Sequence, residues 1–259
     1  MFYPFKAYLR FLIRSTNEHG VHSPFVFDLV TKCFYDTSDF AEYASLTAYR
    51  KSLLATHETI SVTDFGAGSR VFRSNERSVS DIAKNAGISA KRAQLLFRLV
   101  RYFNPQRMLE IGTSLGLATS ALSLGNPSAQ IISLEGCANT AAVALQALSE
   151  NNLANVRIEV GEFGALLESD EIQNQDFDLI YFDGNHQKDA TLHYFEMLVA
   201  TANNRSVWIF DDINWSEPMS QAWEIIKNHP KVSVAIDTFQ LGFVFFRSEQ
   251  EKETFTIRT

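Results

Sequence analysis

The chain has only two cysteines in 259 residues, Cys33 and Cys137, and no Cys-x-x-Cys spacing. This excludes a disulfide framework and a cysteine-built zinc site, and it fits a reducing compartment. Long apolar runs are missing too: none approaches the roughly 20 residues that a membrane-spanning helix requires. Positive charge is not in excess either. With a formal net charge of −7, the molecule as a whole is not built to track a polyanion. There is no internal repeat and no low-complexity segment. What the chain does have is 46% hydrophobic residues, including 21 phenylalanines. That is enough to fill the core of one large α/β domain, or of such a domain with a small appendage. The expectation is a soluble cytoplasmic protein.

The opening "MFYPFKAYLRFLIRSTNEHG" resembles a signal peptide only until Lys6, Arg10 and Arg14 interrupt it. Spaced four apart, the three cations share one face of a helix, opposite Phe5, Leu9, Leu12 and Ile13. The spacing predicts a surface helix docked on the body through its apolar side. A helix lying on a membrane surface is the alternative.

Residues 1–104 carry helical patterns and little convincing strand. From Arg107 onward, apolar strands alternate with helical stretches: "RMLEIG" (107–112), "QIISLEG" (130–136), "VRIEVGE" (156–162), "FDLIYFDG" (177–184) and "SVWIFDD" (206–212) are each followed by a helix. Five strand-then-helix units imply parallel strands joined by right-handed crossovers. "VSVAIDTF" and "LGFVFFRS" close the chain as a hairpin about Gln240–Gly242, adding an antiparallel strand at the edge. The predicted class is α/β: a doubly wound, mostly parallel Rossmann-like sheet with an antiparallel edge strand and a helical N-terminal segment. Ligands of such sheets sit beyond the C-terminal ends of the strands.

"LEIGTSLGLATS" places Glu110, Gly112 and Gly116 at the first strand-to-helix turn. Glycines there let the backbone approach a ligand, and the helix start presents free N–H groups. The Gly-x-x-x-Gly spacing departs from the dinucleotide fingerprint. Glu135, ending the next strand, can accept hydrogen bonds from both ribose hydroxyls. Glu162, ending the third, can accept from an adenine amine. Each acid alone reads as punctuation, but three at successive strand ends make a nucleoside site. A second glycine-rich turn, "TDFGAGSR" (63–70), lacks the apolar helix and following acidic strand, and reads as a loop near a substrate entrance.

"LEIGTSLG", "ISLEGC" and "IEVGEF" together resemble the motifs of the class I S-adenosylmethionine-dependent methyltransferases over residues 100–247. The resemblance implies that Gly112 and Gly116, with Thr113 between them, shape the methionine pocket and that Glu110 lies near the cofactor amino group. It further implies that Glu135 with Gly136 holds the ribose, and that Glu162 and Phe163 border adenine, with Asp183 completing the cofactor set.

The fourth and fifth strands end in "YFDGNH" and "IFDDINWS". These are similar to the metal-binding segments of the catechol O-methyltransferase-like, divalent-metal-dependent branch, Trp215 included. By that resemblance Asp183, Asp211 and Asp212 are candidate ligands for Mg2+ or another divalent cation. His186, where that branch has lysine, is the candidate general base beside Asp183. Asp212 stands where the branch has asparagine, and "TANNRS" replaces the usual Pro-Gly-Gly before the fifth strand. An imidazole can take a hydroxyl proton near neutral pH. The plainer alternatives are that Asp183 caps a turn, Asp212 caps the helix near Trp215 and His186 is idle. Methyl transfer using the acids without a metal is a third.

In the N-terminal third, His19-x-x-His22 has metal-ligand spacing but no further ligand nearby. With Phe25 and Phe27 it reads better as lining a substrate mouth. "SVSDIAKNAGISAKRAQLLFRLVRYF" (78–103) resembles a helix-turn-helix with Gly87 at the turn. Residues 70–107 hold nine Lys/Arg against two acids, a +7 segment in a −7 chain. Such a stripe can track phosphates, yet Arg92, Leu95, Leu96, Leu99 and Val100 read as partly buried, which favours a helical cap or a homodimer surface. The division expected is a helical cap or dimerisation segment at 1–104 and a catalytic domain at 105–259. The expected activity is methyl transfer to an oxygen of a small-molecule acceptor. Transfer to RNA or DNA through the 70–107 face and a non-catalytic cofactor-binding module are the alternatives.

Overall fold

The structure, a computed structural model, describes residues 3–63 and 74–259. All of the "TDFGAGSR" turn beyond Thr63 lies outside the described residues. The chain packs as two compact units: a terminal unit of Met1–Tyr35 with Leu167–Thr259, and a central unit of Asp36–Leu166. Among the described residues, no helix is long and apolar enough to cross a membrane.

The terminal unit begins with α1 (Tyr3–Arg14) and α2 (Pro24–Leu29). Ser23 caps α2 by accepting from the Val26 N–H, with Pro24 in the first turn, where its missing N–H costs nothing. The docking expected of α1 is corrected. Only Ala7 and Phe11 are buried, while Phe5, Leu9, Leu12 and Ile13 face outward. The helix is held instead by Phe239, whose ring meets Tyr8 at 4.9 Å and Phe11 at 5.5 Å between centroids. His19 and His22 are both exposed. Phe25, expected at a substrate mouth, packs edge-on against Phe245 under the Arg247 guanidinium.

In the central unit, α3 (Glu42–Ala55), the short antiparallel pair β1 (Thr59–Ser61) and β2 (Glu76–Ser78), α4 (Val79–Asn85) and α5 (Ala90–Phe103) come first. The predicted helix-turn-helix is therefore present as α4 and α5, each capped by a serine: Ser78 accepts from Asp81 N–H and Ser89 from Arg92 N–H. Leu95, Leu96, Leu99 and Val100 of α5 are buried, as their spacing predicts. Basic residues of this segment are engaged inside the unit. Arg98 donates to the Tyr43 hydroxyl, and Arg101 lies over the Phe40 ring.

Three parallel strands follow, β3 (Arg107–Ile111), β4 (Gln130–Glu135) and β5 (Val156–Val160), paired in that order. Between and after them run α6 (Leu117–Gly125), α7 (Ala138–Glu150) and α8 (Phe163–Leu167). Every residue of α6 except Leu124 is buried. Its Ala, Ser and Thr content lets α5 come close, and a Cβ at Gly125 would lie 2.6 Å from that of Val100.

The terminal unit resumes with α9 (Asp170–Gln173), β6 (Leu179–Phe182), α10 (Lys188–Leu198), β7 (Val207–Phe210) and α11 (Glu217–Asn228). It ends with β8 (Val234–Asp237), β9 (Gly242–Phe245) and β10 (Glu253–Thr256). β6 and β7 are parallel and completely buried, which explains their unbroken apolar runs. The closing hairpin forms as β8–β9, but its placement differs from that expected. β9 lies between β7 and β8 and is antiparallel to both, and β10 pairs in parallel with β8 on the outside. An interior place suits the wholly buried "GFVF" of β9, whereas the partly exposed "ETFT" of β10 suits an edge.

Candidate active site

The glycine-rich turn between β3 and α6 takes its shape from left-handed backbone. Gly112 has φ 106°, Ser114 φ 49° and Gly116 φ 76°. A Cβ at Gly116 would lie 2.5 Å from the Tyr49 hydroxyl, which itself donates to the Leu115 carbonyl at 2.9 Å. Tyr49 on α3 is thus a buried post under the turn; burial pushes its hydroxyl pKa up. Sequence reasoning missed it, because nothing in "LTAYRK" marks that contact. The turn is tied to β4 by the N–H groups of Gly112 and Thr113, both donating to the Leu134 carbonyl. Gly116 caps α6 without any side-chain hydrogen bond, so the helix start keeps its N–H groups directed outward along the axis.

Glu110 is completely buried on β3. Its Oε2 accepts from Thr119 Oγ1 at 2.6 Å and from Ser133 Oγ, and Ser133 in turn shares a 2.6 Å hydrogen bond with Thr113 Oγ1. Its Oε1 is buried with no hydrogen-bond partner. Burial raises the carboxyl from 4.5 to about 7; the Ser133 and Thr119 hydrogen bonds oppose this, and the Glu135 charge adds to it. A buried acceptor left open costs free energy unless something donates to it.

Glu135, at the C-terminal end of β4, spans the loops on either side. Oε2 accepts from Ser114 N–H at 2.7 Å and Oε1 from Cys137 N–H at 2.9 Å, with Gly136 between. Burial raises its pKa, and the backbone donors of Cys137, Ser114 and Gly136 counter it. Each oxygen of such a carboxylate has further lone-pair capacity. Glu162 sits at the start of α8, its two oxygens accepting from Gly164 and Ala165 N–H at 2.9 and 2.8 Å; Phe163 next to it is half-buried. The structure thus brings Glu110, Gly112, Thr113, Gly116, Glu135 and Gly136 into one linked network in the central unit.

The acids of the terminal unit are arranged differently from the expected cluster. Asp211 follows β7 and is 3% exposed. Its Oδ2 accepts from the buried Tyr181 hydroxyl at 2.8 Å and its Oδ1 from Asp212 N–H at 2.7 Å. This closes a turn in which Asp212 takes φ 52°, a conformation that Asp tolerates better than most residues. Asp211 is therefore occupied in holding its own turn. Among the described residues, no group of three or more His, Cys, Asp or Glu side chains is placed to hold a metal ion. No such group is formed by Asp183, Asp211 and Asp212. Nor does Asp212 cap α11, since Ser216 does so by accepting from Met219 N–H.

Asp183 follows β6 and keeps a partner from its own loop: its Oδ1 lies 3.6 Å from His186 Nε2. Asn185 between them has φ 66° and donates to the Tyr194 hydroxyl. The left-handed Asn185 turns the loop back so that residues three apart face each other. Both side chains are mostly buried, His186 at 27% and Asp183 at 19% exposure.

Residues 109–213 match the family profile of a methyltransferase domain. No curated protein matches the chain in sequence. Similar solved structures include the SAH-bound methyltransferase PaMTH1 of Podospora anserina, at 14% identity and TM-score 0.62, covering 88% of this chain and 97% of that one. An O-methyltransferase of Bacillus cereus in complex with SAH is 18% identical, at TM-score 0.54, over 83% and 95% of the two chains. The O-methyltransferase TomG of Streptomyces achromogenes, in complex with SAM, is 15% identical at TM-score 0.56, over 85% and 95%. At these identities the structural likeness speaks to the fold, a mostly parallel Rossmann-like α/β sheet.

Proposed function

We propose that this chain, residues 109–213 of which match a methyltransferase-domain profile, is a class I S-adenosylmethionine-dependent enzyme that methylates an oxygen of a small-molecule acceptor. The observation that carries the reading is the β3–α6 turn. It combines a left-handed glycine with no room for a side chain, an uncapped helix start and one open, fully buried acceptor, Glu110 Oε1. Those features suit a ligand with an ammonium and a carboxylate on one carbon. The helix start accommodates the anionic end and Glu110 accepts from the cationic one. Glu135 accepts from the ribose hydroxyls while its present bonds hold Ser114 and Cys137 in place. Glu162, already anchored on α8, and Phe163 border the adenine. When bound, the cofactor supplies a methyl group on a sulfonium, an electrophile that needs an aligned nucleophile with its proton removed.

We assign removal of the acceptor's proton to His186, with Asp183, 3.6 Å from its Nε2, orienting the ring. The structural neighbours described as O-methyltransferases support oxygen as the acceptor atom.

Calorimetry with S-adenosylhomocysteine, followed by transfer of labelled methyl to a panel of small hydroxyl acceptors, tests this reading. Glu135→Gln is expected to weaken cofactor binding roughly tenfold or more, from the ~1.5–3 kcal/mol of a hydrogen bond to a charged group. His186→Gln is expected to abolish transfer while leaving cofactor affinity intact, and EDTA to leave the rate unchanged. Absence of cofactor binding refutes the proposal. Label appearing in RNA or DNA but in no small acceptor would move it to nucleic-acid methylation, and tight binding with no transfer to any acceptor would make the chain a binding module.

A further inference from the structure

Helix α1 presents to solvent what most helices bury. At about 100° per residue, Leu12, Phe5, Leu9 and Ile13 occupy one arc of its surface. Lys6, Arg10 and Arg14 fill the adjoining arc, and Ala7 and Phe11 form the side that meets the body. Ile13 is 85% exposed and Phe5 62%; Leu9 and Leu12 are exposed as well, and so are all three cations. The helix contains no acid, in a chain whose net charge is −7. Among the described residues, the ring contacts that hold it run from Tyr8 and Phe11 to Phe239, away from the exposed apolar arc.

We infer that α1 is an interfacial helix that seats this protein on an anionic lipid surface. Its apolar arc enters the headgroup–acyl boundary, and Lys6, Arg10 and Arg14 reach the phosphates beside it. An amphipathic helix of this make-up binds by burying apolar area and by attraction to anionic lipid. The long cationic side chains extend to the charged layer while their methylenes stay with the apolar residues. Charge also selects the occupant. A second copy seated across a two-fold axis through α1 would bring six cations together with no acid on either helix to pair them. An anionic surface neutralises them, and repulsion of the remaining, strongly acidic chain orients the molecule with α1 toward the lipid. The helix is 12 residues long, far too short to span the bilayer, so it lies on the surface.

Co-sedimentation of the intact protein with vesicles tests this, comparing phosphatidylcholine alone with phosphatidylcholine containing phosphatidylserine. Binding is expected to the second only and to fall as salt is raised. Arg10→Gln and Arg14→Gln should each lower the partition about fivefold, the factor that corresponds to ~1 kcal/mol per cation near an anionic surface. Ile13→Asp, at an exposed position that leaves the fold intact by circular dichroism, should abolish binding while cofactor affinity stays unchanged. Equal binding to both vesicles, or to neither, overturns the inference. So does a concentration-dependent dimer in sedimentation velocity that Ile13→Asp dissociates, since the arc would then belong to a second copy.

Discussion

Glu110 ties stability to pH in a direction opposite to that of most carboxylates. Burial lifts its pKa from 4.5 to about 7, and at about 1.4 kcal/mol per pH unit the difference amounts to about 3 kcal/mol. Because the folded pKa lies above the unfolded one, this stability is fully present below pH 4.5 and is lost as pH rises through about 7. Glu110→Gln keeps an oxygen for Thr119 and Ser133 and removes the ionisation. Urea denaturation of the cofactor-free wild type and variant across this range should show their stability difference shifting by about 3 kcal/mol, the wild type weakening as pH rises. Cofactor binding supplies the second readout. An ammonium at Oε1 favours the ionised carboxylate, so wild-type affinity should rise with pH up to about 7 and level off above it, and the variant's should not. A stability difference that stays constant from pH 5 to about 8 would refute the account of Glu110 as a buried, open acceptor.

Two further substitutions probe the turns. Gly116→Ala places a Cβ 2.5 Å from the Tyr49 hydroxyl at φ 76°; it should cost about 1–3 kcal/mol of stability, measured by thermal or denaturant unfolding, and weaken cofactor binding in calorimetry. Tyr181→Phe removes the hydroxyl that donates to the buried Asp211. It should cost about 1–3 kcal/mol in denaturant unfolding and leave cofactor affinity unchanged; an unchanged stability would refute the pair as the anchor of the turn.

The parts of the fold that were legible in the sequence are those where burial imposes a pattern. "LIYF" and "VWIF" are continuous apolar runs because both faces of their strands are covered, and each lies where the sequence places it. The two helices of 78–103 were equally readable, since Gly87 breaks one helical pattern from the next, and they form as α4 and α5. "ETFT" was not. A four-residue edge strand that pairs in parallel with β8 has neither a hairpin turn nor a long apolar run to announce it. α1 was misjudged for a related reason. Amphipathic spacing says that a helix has two faces, but which face meets the body depended on Phe239, more than two hundred residues away.

The doublet Asp211–Asp212 shows where sequence reading of a site stops. Adjacent carboxylates at a strand end have one formula and several uses, and what separates them here is which donors lie within reach. Tyr181, two residues before Asp183 in the preceding strand, points its hydroxyl at Asp211 and converts a candidate ligand into the anchor of a left-handed turn. "LIYF" and "IFDD" reveal that pairing only once β6 and β7 are set in register, Tyr181 opposite Ile209. Glu110 is the converse case. Its motif placed it near a cofactor, and the structure adds the physical content: one oxygen satisfied by Thr119 and Ser133, the other buried and open. A buried carboxylate oxygen left open in a dry site is equipped to accept from a ligand, and Glu110 Oε1 is such an atom. Asp211 holds its turn through both oxygens.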